Sequence, residues 1–414
     1  MLVSKRNAPS DQPSADVTGW RYWLALRAGF TYWRYCLAVR PLRIAVIGGA
    51  QYDQVNTAFE SFSAEHGTEV QVAFRGDHVA LNAHLAAALP AGAAYDLVST
   101  HSKYVPSQAR WLWSLDELID AAELSVLQPA ALDLCRVFGA LKCVPRNIDA
   151  RLLFVNRNLI PDGWVPASWQ HLHESLGHSA AASGSAGYAF PVRDSGLFGT
   201  FYELTAAFGA HLFDEGGRAD FTSSAAITAL EWLMDVSTAP GLTPSRMVAD
   251  AWYFDDVSAA FRAGEVAVVG DWPGYYGLLA AQKGLRDRVR VMRYPVGVDG
   301  RRHVYAGCHA WAIPLDAPDV QRSLLLLQHL TAAGAAMADA AAGMVPVRAD
   351  VSMPVEHPLD AERSELLRLT VASDLLTFPP MEDYPAIEEA AAVMLGFALS
   401  GRLTARAALE NIRV

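Results

Sequence analysis

Apolar positions along residues 42–98 switch between the period of a strand and the period of a helix. A continuous apolar run at residues 42–47 is typical of a buried strand, and residues 68–74 alternate as a second strand does. Helical spacing follows each run, with an apolar face at residues 55–62 and a helix over residues 77–89 that opens on an aspartate cap. A third short strand is predicted at residues 95–98. This order predicts a parallel sheet covered on both faces.

A second informative pattern lies at residues 259–276. The end of an apolar helix leads through a turn into an alternating strand at residues 266–269, which stops at the sequence Gly-Asp-Trp-Pro-Gly of residues 270–274. The first glycine permits a close approach of the backbone, and the proline with the second glycine forces a loop, so Trp272 is presented at a strand end. Open α/β sheets bind small molecules at such ends. Trp272 therefore faces a ligand or fills a core, and residue type alone leaves both open.

Composition narrows the class of protein. The chain has 414 residues, 52% of them hydrophobic, which suits two or three domains with large cores. A formal net charge of -11 argues against nucleic-acid binding, which needs clustered lysines and arginines. The cysteines at positions 36, 135, 143 and 308 are too far apart for a CxxC or zinc-ribbon motif. Cys135 and Cys143 are able to pair in an oxidising compartment, but we expect four free, mostly buried thiols.

Residues 1–40 are rich in aromatic and basic side chains. Arginines at positions 21, 27, 34 and 40 interrupt the apolar runs, so no signal peptide is recognisable and no run is long enough to span a membrane. An amphipathic helix of this composition is able to lie on a membrane surface. Packing against the protein itself and a mis-assigned start codon are the alternatives, so the role of this N-terminal extension stays open.

Segments from residue 42 to residue 414 resemble, in order, those of the bacterial extracellular solute-binding proteins of ABC sugar importers, the family of maltose-binding protein. The segments that carry the resemblance are residues 115–119, 143–156, 166–172, 213–236, 259–272, 343–348 and 401–409. Each is weakly specific, and their shared order and spacing make the case together.

The resemblance implies a two-lobed periplasmic-binding-protein-like fold of type II, an α/β fold in which each lobe is a mainly parallel sheet flanked by helices. Lobe 1 is expected at residues 41–149 plus 304–346, and lobe 2 at residues 150–303 plus 347–414. Residues 1–40 fall outside both lobes.

The same resemblance implies a function. The chain would cross between the lobes near Asp149, His303 and Val347, and closure of the cleft around a sugar or polyol would desolvate it. The expected partners are this ligand and the permease subunits of an ABC importer. The expected protein is a periplasmic monomer with no catalytic residue, no cofactor and no metal, although the unrecognised export signal leaves cytoplasmic retention open.

Candidate ligand-binding residues lie on loops at predicted strand ends or at positions that the resemblance implies. Sugars present C–H faces and hydroxyl groups, which aromatic rings and polar side chains match, and we expect about half of the aromatic candidates to belong to the core instead. The candidates are Gln51, Tyr52, Arg75, Lys103, Tyr104, Arg146, Asn147, Asp149, Asp194, Ser195, Phe198, Trp272, Tyr275, His309, Arg348 and Tyr384.

Several alternatives stay open. Arginines at positions 75, 146, 193 and 348, with Lys103, would favour a sugar acid, a sugar phosphate or another small anion if they face the cleft. An enzyme is not expected, because the Gly-Ser-Ala-Gly sequence at 184–187 lacks the spacing of a nucleophile elbow.

The helical stripe of His171, Glu174 and His178 is expected to be an ordinary polar face rather than a metal site. A cytoplasmic ligand sensor of the same fold is the third class.

Overall fold

The computed structural model of the chain describes residues 40–214 and 216–413, with the backbone alone over residues 177–183. The predictions for the N-terminal extension, for Cys36 and for the side chain of His178 lie outside the described residues. From Pro41 onward the chain forms one compact unit. No peptide bond in the part of the chain that is described is cis.

The strands predicted at residues 42–47, 68–74, 95–98 and 266–269 and the helices predicted at residues 55–62 and 77–89 appear within a few residues of those bounds. The strands are β1 (Leu42–Ile47), β2 (Val70–Gly76), β3 (Leu97–His101), β4 (Arg136–Val137), β5 (Ala140–Leu141), β6 (Val144–Pro145), β7 (Asn147–Ala150), β8 (Leu152–Asn156), β9 (Ala186–Ala189), β10 (Val266–Asp271), β11 (Val289–Met292), β12 (Val304–Gly307), β13 (His309–Ala312), β14 (Val345–Pro346) and β15 (Leu375–Leu376). The helices are α1 (Val55–His66), α2 (His78–Ala88), α3 (Val105–Gln108), α4 (Ala121–Leu124), α5 (Pro129–Cys135), α6 (Trp169–Ser183), α7 (Asp194–Ala207), α8 (Ser224–Thr238), α9 (Phe254–Ala263), α10 (Tyr275–Ala280), α11 (Val320–Thr331), α12 (Ala333–Ala341), α13 (Pro358–Ser373), α14 (Tyr384–Leu399) and α15 (Ala405–Glu410), with short 3-10 turns at Ala109–Trp111 and Arg286–Arg288.

The first sheet has the strand order β2-β1-β3-β13-β6. Strands β1, β2 and β3 are mutually parallel, which confirms the predicted strand and helix alternation. The predicted aspartate cap of α2 is also confirmed, because the Asp77 carboxylate accepts a hydrogen bond from the Ala80 backbone N–H at 2.8 Å. Apolar side chains from residues 42–148 and 308–347 pack around this sheet, and we call them the first core.

The second sheet has the strand order β11-β8-β10-β9. The predicted strand at residues 266–269 is β10, and it continues to Asp271, directly before Trp272. Apolar side chains from residues 150–305 and 345–409, with Tyr104, pack around this sheet and form the second core.

Both sheets are mixed, whereas mainly parallel sheets were expected. Strand β13 runs antiparallel to β3, and β8 runs antiparallel to β10 and β11. Two consecutive strands that are parallel neighbours need a long crossover connection between them, usually a helix. Strand β8 follows β7 after one residue, Arg151, and β13 follows β12 after one residue, Cys308, so neither enters its sheet through a helix.

A third sheet of order β14-β7-β12-β15 lies where the chain passes between the two cores, and we call it the crossing sheet. Strand β7 contains Asp149, β12 begins directly after His303, and β14 ends directly before Val347. The three crossing points that the resemblance implied therefore fall in one sheet or within one residue of it.

The structure also tests the predictions for the cysteines and for the candidate residues at positions 194–198. Cys135, Cys143 and Cys308 are free and buried, as predicted for the described cysteines. The candidates Asp194, Ser195 and Phe198 lie in the first turns of α7 rather than on a loop, and α7 is buried from Ser195 to Ala207. Within the described ranges, no single helix is long and apolar enough to cross a membrane, although α11 and α12, bent by 46°, meet that length and composition together.

Candidate functional site

Two cavities flank the crossing sheet. Tyr305 of β12 lines a cavity of about 320 Å³, and its neighbour Ala306 lines a larger one of about 1170 Å³. Successive residues of a strand point to opposite faces, so the two cavities lie on opposite sides of this sheet. The smaller cavity is bordered by the carboxyl ends of the parallel strands β1 and β3 and by the end of β10. Strand ends of this kind bind ligands in open α/β sheets, so we take the smaller cavity as the candidate site.

Half of the sequence-predicted site residues line this cavity. They are Gln51, Tyr52, Lys103, Asp149, Ser195, Trp272, Tyr275 and His309.

Hydrogen bonds connect the lining residues across the cavity. The Tyr275 hydroxyl donates to Asp255 at 2.6 Å and lies 3.4 Å from the Gln51 side-chain nitrogen. The hydroxyl groups of Ser195 and Tyr253 are 2.6 Å apart. Gln51 belongs to the loop after β1, whereas the other four residues belong to segments that pack on the second core. Elements of both halves of the chain therefore hold the site together.

The remaining predicted residues do not line the cavity. Two form ion pairs elsewhere, Arg75 with Asp53 at 3.2 Å and Arg348 with Asp350 at 2.8 Å. Asp194 does not line the cavity itself but pairs with Arg193, which does. Phe198 is fully buried in the second core, where it stacks on Phe378 with ring centroids 5.8 Å apart.

Arg146 and Asn147 support the site from behind. The Arg146 guanidinium donates to both carboxylate oxygens of Asp339 at 2.7 Å, and both residues are buried. The Asn147 side-chain amide donates to Asp149 at 2.6 Å. The hydrogen bond from Asn147 orients Asp149, which itself lines the cavity.

Tyr104 and Tyr384 point into the second core toward one carboxylate. Glu388 accepts hydrogen bonds from the Tyr104 hydroxyl at 2.5 Å, from the Tyr384 hydroxyl at 2.9 Å and from the Lys103 ammonium at 2.7 Å. Lys103 therefore reaches the cavity as a paired cation.

Sequence reasoning missed His78, His101, Tyr253 and Tyr305, which also line the cavity. His101 is the last residue of β3, and His78 opens α2 two residues after the end of β2, so the predicted strand ends pointed to both places. Tyr253 directly precedes α9, and Tyr305 belongs to a crossing strand of four residues, for which the sequence pattern does not reveal the facing direction.

Burial controls the protonation of the polar groups in the site. Burial lowers the pKa of His309 to about 3, with help from the positive charges of Arg146 and Lys103. Burial likewise lowers the pKa of His78 and of His101 well below the usual range. The three imidazoles are therefore neutral at physiological pH.

Two buried carboxyl groups beside the cavity have raised pKa values. Burial raises the pKa of Asp149 to about 7, against the lowering effect of the hydrogen bond from Asn147. Burial also raises the pKa of Asp271 to about 7, although this carboxylate accepts a hydrogen bond from the Trp272 backbone N–H at 2.9 Å. Both groups lie where a strand meets the site.

The Asp271→Asn variant is expected to flatten the pH dependence of stability. Between the ordinary pKa near 4 and the folded-state pKa of about 7, the folded protein holds a proton that the unfolded chain has lost. The free energy of unfolding therefore falls as the pH rises through this window. We expect the variant to match the wild type near pH 4 and to be about 4 kcal/mol more stable near pH 8.

Chemical unfolding at a series of pH values measures this difference. The matched control is Asp235→Asn, which makes the same substitution at an exposed position of α8. A variant at Asp271 that is less stable than the wild type near pH 8 would contradict the argument from burial.

A family model described as bacterial extracellular solute-binding protein matches residues 57–362. No curated protein matches the chain in sequence.

Solved structures match the fold closely at low sequence identity. The maltose-bound MalE3 of T. maritima gives a TM-score of 0.81 at 23% identity, covering 89% of this chain and 97% of that chain. An ABC transporter solute-binding protein of Thermotoga lettingae bound with α-D-tagatose gives 0.77 at 21% identity, with 90% and 97% covered. One of Agrobacterium radiobacter in complex with ribitol gives 0.78 at 17% identity, with 90% and 96% covered. These matches confirm the two-lobed α/β fold.

Proposed function

The chain belongs to the bacterial extracellular solute-binding proteins, and from this premise we propose that it binds a neutral sugar or polyol in the cavity of about 320 Å³ beside the crossing sheet. The observation that carries the proposal is the combination of aromatic rings and carboxylates around this one cavity. Trp272 and Tyr305 meet edge to face with ring centroids 5.5 Å apart, and Asp149 and Asp255 line the same space. Rings match the C–H faces of a sugar, and carboxylates accept hydrogen bonds from its hydroxyl groups.

The charges around the cavity favour a neutral solute over an anion. Lys103 and Arg193 reach the cavity, but each is paired with a carboxylate, Glu388 and Asp194 respectively. The arginines at positions 75, 146 and 348, which would have favoured an anion, do not line it. The solutes of the similar structures, maltose, tagatose and ribitol, are neutral polyhydroxy compounds, which supports the same choice.

In this proposal the two cores are lobes that close on the solute. Lobe 1 comprises residues 41–149 plus 304–346, and lobe 2 comprises residues 150–303 plus 347–414. The crossing sheet acts as the hinge, because short strands between two packed bodies absorb the change in backbone angles. The protein acts as a monomer, releases its solute unaltered, and delivers it to the permease of an ABC importer in the periplasm.

Calorimetric titration tests the choice of solute. We expect saturable one-to-one binding of at least one neutral hexose, disaccharide or pentitol, and at least about tenfold weaker binding of the matched sugar acid or sugar phosphate, because an uncompensated anion would face the lining aspartates. Tighter binding of the acid would contradict the proposal. Hydrolysis of a bound glycoside would contradict the non-enzymatic role.

Cell fractionation tests the location and the partner. Recovery of the protein with the periplasmic fraction, and its capture by a membrane permease in the presence of the solute, are the expected results. Recovery in the cytosol would favour a ligand sensor of the same fold.

A further inference from the structure

Three side chains with metal-binding atoms converge at one wall of the cavity. One donor atom each from His101, Asp149 and His309 lie within 4.8 Å of one another, and all three residues are buried. The residues lie far apart along the chain, and none of the short spacings typical of a metal motif connects them.

The backbone register brings these three residues together. His101 at the end of β3 is the direct partner of His309 at the start of β13 in the antiparallel pairing, so their side chains share a face of the sheet. Asp149 of β7 is paired with Gly307 of β12. A Cβ atom on Gly307 would lie 2.3 Å from Cε1 of His101, so only glycine leaves room for the imidazole here.

We propose that His101, Asp149 and His309 bind a divalent transition-metal cation, with Zn²⁺ as the probe. Two imidazole nitrogens and one carboxylate oxygen are a ligand set that suits zinc and its neighbours in the first transition series. Three protein ligands leave at least one position of a tetrahedral site for water or for an oxygen of the solute.

The spacing of the donor atoms fits coordination better than a direct hydrogen bond. Nε2 of His309 and Oδ2 of Asp149 are 3.6 Å apart, which is too long for a hydrogen bond between them. Bonds of about 2.1 Å to a tetrahedral zinc ion place two ligand atoms about 3.4 Å apart. The two groups therefore already lie at nearly the separation that an ion between them requires.

Two neighbouring side chains, His78 and Tyr52, affect metal binding at the proposed position. Nε2 of His78 is buried and has no hydrogen-bond partner among the described residues, and the His78 ring lies 4.9 Å from that of His101. The Tyr52 hydroxyl is 2.9 Å from Nε2 of His309, so it competes with the ion for this nitrogen. His78 thus offers an unpartnered ring nitrogen close to His101, whereas Tyr52 opposes binding.

The local charges tolerate a cation. The nearest positive groups, Lys103 and Arg146, are each paired with a carboxylate at 2.7 Å, Glu388 and Asp339 respectively. The carboxylate of Asp149 is the negative ligand of the triad. The carboxylates of Asp77, Asp255 and Asp256 also line the cavity.

Titration of the chelator-treated full chain with Zn²⁺ in a calorimeter tests the proposal. We expect one-to-one binding in the wild type, at least about 100-fold weaker binding in His309→Ala and His101→Ala, and equal or tighter binding in Tyr52→Phe. The matched control is His329→Ala, because Glu65, His66 and His329 form a second cluster at the surface that is able to hold zinc adventitiously.

The outcomes separate the proposal from its competitors. Absence of saturable binding, loss of binding only in His329→Ala, or wild-type affinity in both triad variants would each overturn it. If the triad variants fail to fold, the visible spectrum of the wild type with bound Co²⁺ decides: intense bands of a four-coordinate ion support the site, and the weak bands of the six-coordinate aqueous ion overturn it. The metal titration contains no sugar, so its failure is distinct from a failure of the proposed solute binding.

Discussion

The Glu388→Ala variant is expected to lower the free energy of unfolding by about 3 to 5 kcal/mol. Glu388 is 6% exposed and accepts hydrogen bonds from Lys103, Tyr104 and Tyr384. Its removal leaves the equally buried ammonium of Lys103 without a counter-ion and two hydroxyl groups without an acceptor. The loss of a buried partner costs more than the intact pair contributes, because the remaining charge is still out of water.

Denaturant unfolding of matched variants measures this effect. The control is Glu389→Ala, since Glu389 is the next residue of α14 and is exposed, and its replacement should change stability by less than about 0.5 kcal/mol. Adding Lys103→Met to Glu388→Ala should recover roughly half of the loss, because the stranded charge is then removed as well. If the two substitutions were simply additive, the pair would not be coupled in the way that the structure indicates.

The sequence pattern predicted those elements that are determined by residues close together in sequence. The apolar run of β1, the aspartate cap of α2 and the alternation of β10 each depend on residues close together in sequence, and each appears within a few residues of its predicted bounds. The crossing sheet could not be predicted in this way. Strands β14 and β15 have two residues each, which is too short for a period to appear.

The aromatic candidates fall into two groups, those that line the cavity and those that lie in the core, and sequence position does not separate the groups. Tyr52, Tyr275 and Trp272 line the cavity, whereas Tyr104 and Tyr384 turn toward a buried carboxylate, yet all five occupy similar positions on loops or helix starts. For Tyr104 the partner that turns the ring is far away in sequence, because Glu388 is 284 residues from Tyr104. Tyr384 is only four residues from Glu388, on the same helix α14.

The same limit applies to charge and to metal ligands. Arg146 looked like an anion-binding residue, but its guanidinium is taken up by Asp339, a partner that is 193 residues away. His101 and His309 are adjacent only through the register of two antiparallel strands. Sequence spacing therefore identifies strand ends as the place of the site, and the pairing of strands decides which side chains meet there.

The Trp272→Ala variant is expected to weaken binding of the preferred neutral sugar by about 10- to 100-fold. Trp272 is held in a fixed orientation by edge-to-face contacts with Phe254 and Tyr305, with ring centroids 5.6 Å and 5.5 Å away, and the Arg151 guanidinium lies 4.9 Å from its ring. A ring that is already ordered loses little conformational entropy when a sugar stacks on it, so its removal costs most of the stacking free energy.

Calorimetry with Trp272→Ala, Trp272→Phe and Trp164→Ala checks this expectation. Phenylalanine keeps a smaller flat surface, so we expect an intermediate affinity. Trp164 packs on the second core but does not line the cavity, and its replacement controls for the general loss of a partly buried tryptophan. Equal affinity in Trp272→Ala and the wild type, with both proteins folded, would mean that the sugar does not stack on this ring. In that case the proposed position of the solute between the end of β10 and the crossing sheet would be wrong.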